Sequence, residues 1–151
     1  MRKFEVVKRI NEYSTSEEMV VRLPERSTKN SMAYDFFAIE GFEVKPGEKY
    51  MYKSGIKAKM NDDEGLVLNV RSSMGKKGIM LANTSAWIDS DFYDNPDNEG
   101  EIGIYFYNYG TETWKVNAGD KIAQGMFIKY LTTDDDNVEN VRKGGWGSTD
   151  G

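Results

Sequence analysis

The 151-residue chain contains no cysteine and no histidine. Disulfides, thiol nucleophiles, most transition-metal sites and a Ser-His-Asp triad are therefore excluded. A base must be Asp, Glu, Lys or Tyr, and a metal must be a hard cation held by oxygen, such as magnesium. The absence of cysteine fits a reducing compartment. No apolar run approaches the roughly 18 residues of a membrane helix, so no membrane contact is expected. The first stretch, "MRKFEVVKRINEY", has neither the apolar segment nor the small-residue cleavage site of a signal peptide, which makes a cytoplasmic location the expectation. Basic excess is also missing. A net charge of −5 argues against bulk nucleic-acid binding. A few arginines, backbone N–H groups and a magnesium ion can still hold a small polyanion on such a surface.

What is present is a series of short apolar runs. They are "FEVV" (4–7), "MVVRL" (19–23), "DFFAI" (35–39), "YMYKSGIKA" (50–58), "GLVLNV" (65–70), "GIML" (78–81), "EIGIYFYN" (101–108), "ETWKV" (112–116) and "KIAQGMFIKYL" (121–131). Clusters of Gly, Pro, Asn, Asp and Ser separate them, and "KPGEK" and "NAGDK" carry turn chemistry. Runs of this length, rich in aromatic and β-branched residues, predict an all-β sandwich or barrel. The one helix expected is short, at "SSMGKK" after Arg71. Composition shifts near Thr132, dividing a β domain (1–131) from an acidic, then glycine-rich arm (132–151). The arm has too few apolar side chains to fold by itself, so order in it requires a ligand or a neighbouring surface.

Several stretches carry groups able to do chemistry. "AYDFFA" sets Asp35 among aromatic residues, although a carboxylate at a strand end is also ordinary turn chemistry. "NVRSSMG" ends a strand with Arg71, Ser72, Ser73 and Gly75, a set suited to phosphate or to a capped helix with a solvated arginine. "NTSAWIDSDFY" holds Asn83, Asp89 and Asp91 around Trp87 and Ile88, so a candidate base lies in what is otherwise a polar hairpin. Gln124 in "AGDKIAQGMF" reads most simply as a partner for backbone. The terminal "VRKGGWGSTDG" is harder to set aside. Arg142, Ser148 and Thr149 can contact phosphate, glycines such as Gly147 permit close approach, and Trp146 can stack on a flat ring.

Taken in order, "AYDFFA", "RSSMG", "NTSAWIDSDFY…GEI", "GDKIAQGMF" and "RKGGWGSTDG" resemble the five ordered motifs of the trimeric dUTP diphosphatase family, from about Ala33 to the C-terminus. The resemblance implies a β jelly roll, a homotrimer with sites at subunit interfaces, and magnesium-assisted hydrolysis of dUTP to dUMP and diphosphate. The arm of one subunit would close a neighbour's site as a lid. By position, Asp89 would activate the attacking water and Asp35 would hold the metal through bound water. Ser72 would bind the phosphate chain and Arg71 would support the site. Asn83 would read uracil and Gln124 would contact phosphate. Ser73, Gly75 and Ile88 fall in the same motifs as further substrate contacts. In the arm, Arg142 with Ser148 or Thr149 would hold the γ-phosphate, Trp146 would cover the uracil, and Gly147 lies between them.

The chain departs from the family pattern in places. Between Tyr93 and Gly100 about six residues are inserted, leaving either Phe92 or Tyr93 as the ring under the deoxyribose. An extended tip of this kind resembles phage-type members, which implies a bacterial host cytoplasm and leaves a regulatory protein partner open. Arg142 stands one residue nearer the arm's aromatic than in many relatives. Ala86 and Trp87 replace smaller residues, so Trp87 suits packing or a partner-facing role. A dCTP deaminase shares the fold and the RSS motif, but its catalytic glutamate aligns with Tyr105 here. A non-catalytic binder on the same scaffold would have no need for the full set of Asp35, Arg71, Asp89, Gln124 and the arm.

Overall fold

The computed structural model describes residues 1–13 and 21–150. Strict alternation shapes its strands. In β6 (Glu64–Asn69), Glu64, Leu66 and Leu68 are buried while Gly65, Val67 and Asn69 turn outward. In β9 (Gly103–Asn108), Ile104, Phe106 and Asn108 are buried. Each period of two places one face on a core.

Strand β6 pairs on both edges, with β8 (Ala86–Asp89) and with β11 (Lys121–Lys129). Strand β2 (Tyr34–Phe37) completes a four-stranded sheet in the order β2-β11-β6-β8. A three-stranded sheet joins β4 (Lys49–Lys53), β9 and β7 (Ile79–Leu81). Two ribbons pair β1 (Lys3–Val6) with β5 (Ile56–Lys59) and β3 (Phe42–Val44) with β10 (Trp114–Val116). Every pairing is antiparallel. The result is the expected all-β jelly roll. Its core is formed chiefly by Phe36, Leu66, Leu68, Ile79, Leu81, Ile104, Phe106 and Ile122. Each such side chain contributes roughly 1.5–3 kcal/mol on burial.

The expected short helix is present as α2 (Ser72–Lys76). A second, α1 (Lys8–Tyr13), was not foreseen, because six residues are too few to display a helical period. The run at 19–23 yields no strand over Val21–Leu23, and its first two positions lie outside the described residues. Strand β3 was missed because three residues make a weak signal. It is held by packing: Phe42 stacks on Tyr50, Tyr52 and Phe106 and meets Trp114 edge-on.

The inserted residues 94–99 form a tight turn fastened to the opposite side of the barrel. The buried Lys57 ammonium donates to Asp94 (2.5 Å) and Glu99 (2.9 Å). The Lys8 N–H also donates to Glu99. Asn95 is buried; its Oδ1 accepts the N–H groups of Asp97 and Asn98, and its Nδ2 donates to the Phe92 carbonyl and to Asn98 Oδ1. Next in the chain, Glu101 is buried, pairs with Arg9 and accepts the Gly55 N–H. Burial works against the charge on Lys57, but its bonds to Asp94 and Glu99 outweigh that and raise its pKa. Burial likewise pushes Glu99 up, yet Lys57 and the Lys8 N–H hold it below its ordinary value.

Because its folded pKa is lowered, Glu99 contributes stability above its ordinary value of 4.5, and loses it as pH falls through the lowered value. Lys57→Met is expected to cost about 2 kcal/mol at neutral pH, or roughly 5 °C in Tm. The gap to the parent should narrow well below pH 4.5. Thermal melts across pH check this, and an unchanging gap would separate Lys57 from the acid linkage.

Candidate active site

The first candidate constellation gathers where β2, β6 and β11 meet. Asp35 is only 5% exposed, and its backbone lies across from Gln124, which in turn lies across from Asn69. Both Asp35 oxygens are engaged. Oδ1 meets Arg71 Nε at 3.0 Å, while Oδ2 accepts the Ser27 hydroxyl at 2.6 Å and meets Lys121 Nζ at 3.1 Å. Lys121 also donates to Ser27. Burial pushes the Asp35 carboxyl up, but these hydrogen bonds and the Arg71 charge hold it below its ordinary value. Gln124 Nε2 donates to the Val70 carbonyl at 3.3 Å, steadying the approach to Arg71. Ser72, Ser73 and Gly75 follow on α2, all exposed. This end of the sheet therefore presents a fixed guanidinium beside free hydroxyls, a surface suited to phosphate oxygens.

The second constellation is a groove of about 330 Å³ along β8. Asn83, Ile88, Asp89 and Phe92 line it, facing Met51, Gly103 and Tyr105, and the arm's Trp146, Gly147 and Thr149 close it. Trp146 lies flat against Gly103, where an added Cβ would stand 2.6 Å from the indole. A glycine at the start of β9 is thus required by a close approach. Arg142 is tucked in, with Nη2 donating to Asp89 Oδ2 and Nε to Asp91 Oδ1, both at 2.7 Å. Its guanidinium carbon lies 5.7 Å from the Phe92 ring centre. Ser148 accepts from Arg142 Nη1 and donates to the Gly144 carbonyl, which closes the glycine-rich loop on itself. Gly145 N–H reaches Asp97 of the inserted turn. In this single chain the arm therefore rests on its own groove.

The two aromatic candidates separate. Phe92 is buried in the groove wall. Tyr93 turns to the opposite side, where its hydroxyl donates to Glu5 at 2.6 Å and its ring faces Lys57. The bond to Glu5 pushes the phenol up to about 12. Tyr93 is therefore corrected: it belongs to the anchorage of the insert and not to the groove.

The expected site is also divided. Asp89 lies across from Gly65 near one end of β6, whereas Arg71 follows its other end. Six residues of extended chain separate those levels by roughly 20 Å. One chain alone does not bring Asp89 to Arg71, Ser72 and Gln124.

Asp35 was expected to reach a metal through water. Its oxygens are bracketed by two cations and a hydroxyl, so in this chain Asp35 clamps Arg71 and Lys121, and any contact to a metal would run through a water. Among the described residues no group of three or more acidic side chains forms a metal cage. Sequence reasoning missed Ser27, Lys121, Met51 and Gly103. Lys121 lay within a quoted motif and Gly103 interrupted an apolar strand; nothing marked Ser27 or Met51.

The family model for dUTPase matches residues 20–149. The deoxyuridine 5'-triphosphate nucleotidohydrolase of Lactococcus lactis is 40% identical over 132 residues, covering 85% of this chain and 88% of the relative. The dUTPase structure from Streptococcus mutans superposes with a TM-score of 0.74 at 36% identity, covering 87% of this chain and 98% of that one. A dUTPase variant from phage phi11 of S. aureus, described with a structural Mg(II) ion, shares the fold at a TM-score of 0.69 and 21% identity, covering 93% and 97%. Together with the ordered motifs, the match across most of the chain shows that this protein belongs to the dUTPase family.

Proposed function

We propose that the protein hydrolyses dUTP to dUMP and diphosphate at sites shared between copies of the chain in a homotrimer. The observation that carries this reading is the division of the candidate residues between the two ends of β6. A groove with an amide, a carboxylate and two aromatic rings suits a nucleoside. The opposite end, with Arg71, Ser72 and Gln124, suits the phosphates. A second copy brings the missing half.

The outer face of the four-stranded sheet supports such contact. Val67 pairs with Trp87 on one side and with Met126 on the other, making an apolar row in which Trp87 is 79% exposed. A row of this kind marks an interaction surface. The arm has the length to serve a neighbour as well as its own chain, since the exposed residues 131–141 span up to roughly 35 Å when extended.

Asp89 accepts a hydrogen bond from the attacking water and takes its proton as the water oxygen bonds the α-phosphorus. The bond from that phosphorus to the bridging oxygen breaks, and diphosphate leaves. Before substrate enters, Arg142 holds Asp89. Triphosphate oxygens compete for that guanidinium, and its transfer to them frees the carboxylate as the arm closes. Trp146 covers the base and Asn83 reads its edge. Magnesium, when bound, would neutralise phosphate charge, and Asp35 is the residue of this chain that would hold it, through bound water. Catalysis then rests on positioning and charge neutralisation, with no covalent step.

Diphosphate release is expected from dUTP and not from dCTP, dTTP or UTP; ammonia from dCTP would indicate deamination instead. Asp89→Ala is expected to keep nucleotide affinity and to lower kcat by several orders of magnitude. Near-normal turnover would remove Asp89 from the base role. Mixing separately inactive Asp89→Ala and Arg71→Ala chains and letting them reassemble is expected to recover roughly a quarter of the parent rate, because some sites then draw both intact halves from different copies. No recovery would mean that both halves act within one chain.

A further inference from the structure

Beside the Arg71 end of the sheet lies a trough of about 400 Å³ whose lysines, Lys77 and Lys115, have no assigned role. Its wall carries Arg71, Lys77, Lys115 and Lys121 against a single lining carboxylate, Asp120. Asp120 is itself occupied, since it accepts the Asn117 N–H at 2.8 Å. Lys115 has only a loose partner in Glu43 at 3.9 Å, with both side chains mostly exposed. Among the described residues Lys77 has no carboxylate partner. The chain as a whole carries −5, so this cluster is a local positive site on an acidic protein.

The inner edge of the trough is built and not merely decorated. Buried Asp35 fixes Arg71 by Nε and Lys121 by Nζ, leaving the outer nitrogens of the guanidinium without a carboxylate. Ser73 adds an exposed hydroxyl at the same edge. No ring is offered for stacking. Trp114 borders the trough but is only 8% exposed, because its indole packs edge-on against Phe42 and Phe106. Four cations and a hydroxyl in one trough, with no aromatic face, describe a receptor for an inorganic phosphoanion rather than for a nucleoside.

We propose that this trough binds diphosphate, with Lys77 and Lys115 as its outer cations and Lys121 and Arg71 as its inner ones. The assignment of diphosphate in particular rests on the proposed hydrolysis of dUTP, which releases that anion next to Arg71. The trough gives the leaving group a place to move into as it separates from the nucleotide, so the lysines act on product release and on inhibition by product. Attraction between fixed cations and a small polyanion weakens as salt rises, so diphosphate affinity falls with ionic strength.

The test is calorimetric titration of inorganic diphosphate into the full-length protein, in magnesium-containing buffer, for the parent, Lys77→Gln/Lys115→Gln and Lys77→Arg/Lys115→Arg. Melting curves establish that all three are folded. The Gln variant is expected to bind diphosphate about tenfold more weakly and the Arg variant close to the parent, with dUMP affinity equal in all three. Equal diphosphate affinity in parent and Gln variant overturns the proposal, as does a parent that binds no diphosphate or binds sulfate equally tightly. Turnover of dUTP by the same samples separates the two readings. Lysine-dependent diphosphate binding without turnover keeps the trough and removes the hydrolase reading. Turnover with lysine-independent inhibition by diphosphate does the reverse.

Discussion

Antiparallel pairing of β6 on both of its edges is the constraint on which the remaining structure depends. Its register with β8 sets Asp89 beside Gly65, and its register with β11 sets Gln124 beside Asn69. Because side chains alternate, a slip of one residue would turn Leu66 and Leu68 out of the core and Val67 into it. The core thus holds the register, and the register holds the candidate residues at two fixed levels roughly 20 Å apart.

Charge follows the same division. The groove end is acidic, and Arg142 pairs there with Asp89 and Asp91. The Arg71 end is basic, and one buried carboxylate, Asp35, organises it by holding a cation on each oxygen. The inserted turn is a third ionic system, built around Lys57, Glu99 and the Tyr93–Glu5 bond, and it meets the arm through Asp97.

Much of this was legible in the sequence. The all-β class followed from short aromatic and β-branched runs, and the helix after Arg71 from its motif. Where the reading failed, the deciding forces were not local. Strand β3 exists because Phe42 finds three rings to stack on. The hexapeptide helix α1 is too short to leave a period. The insertion looked like a projecting tip, yet buried Lys57, more than thirty positions earlier in the chain, draws it down.

The sequence by itself determined the absence of thiol and imidazole, the order of the motifs and the residues they contain, because residue type and local spacing are written along one dimension. Only the tertiary structure decided that Phe92 and not Tyr93 faces the groove, that Asp35 is a clamp between two cations, and that Asp89 and Arg71 lie at opposite ends of one strand. Those outcomes depend on which distant side chains share a space, and that is set by packing and pairing across the chain, not along it.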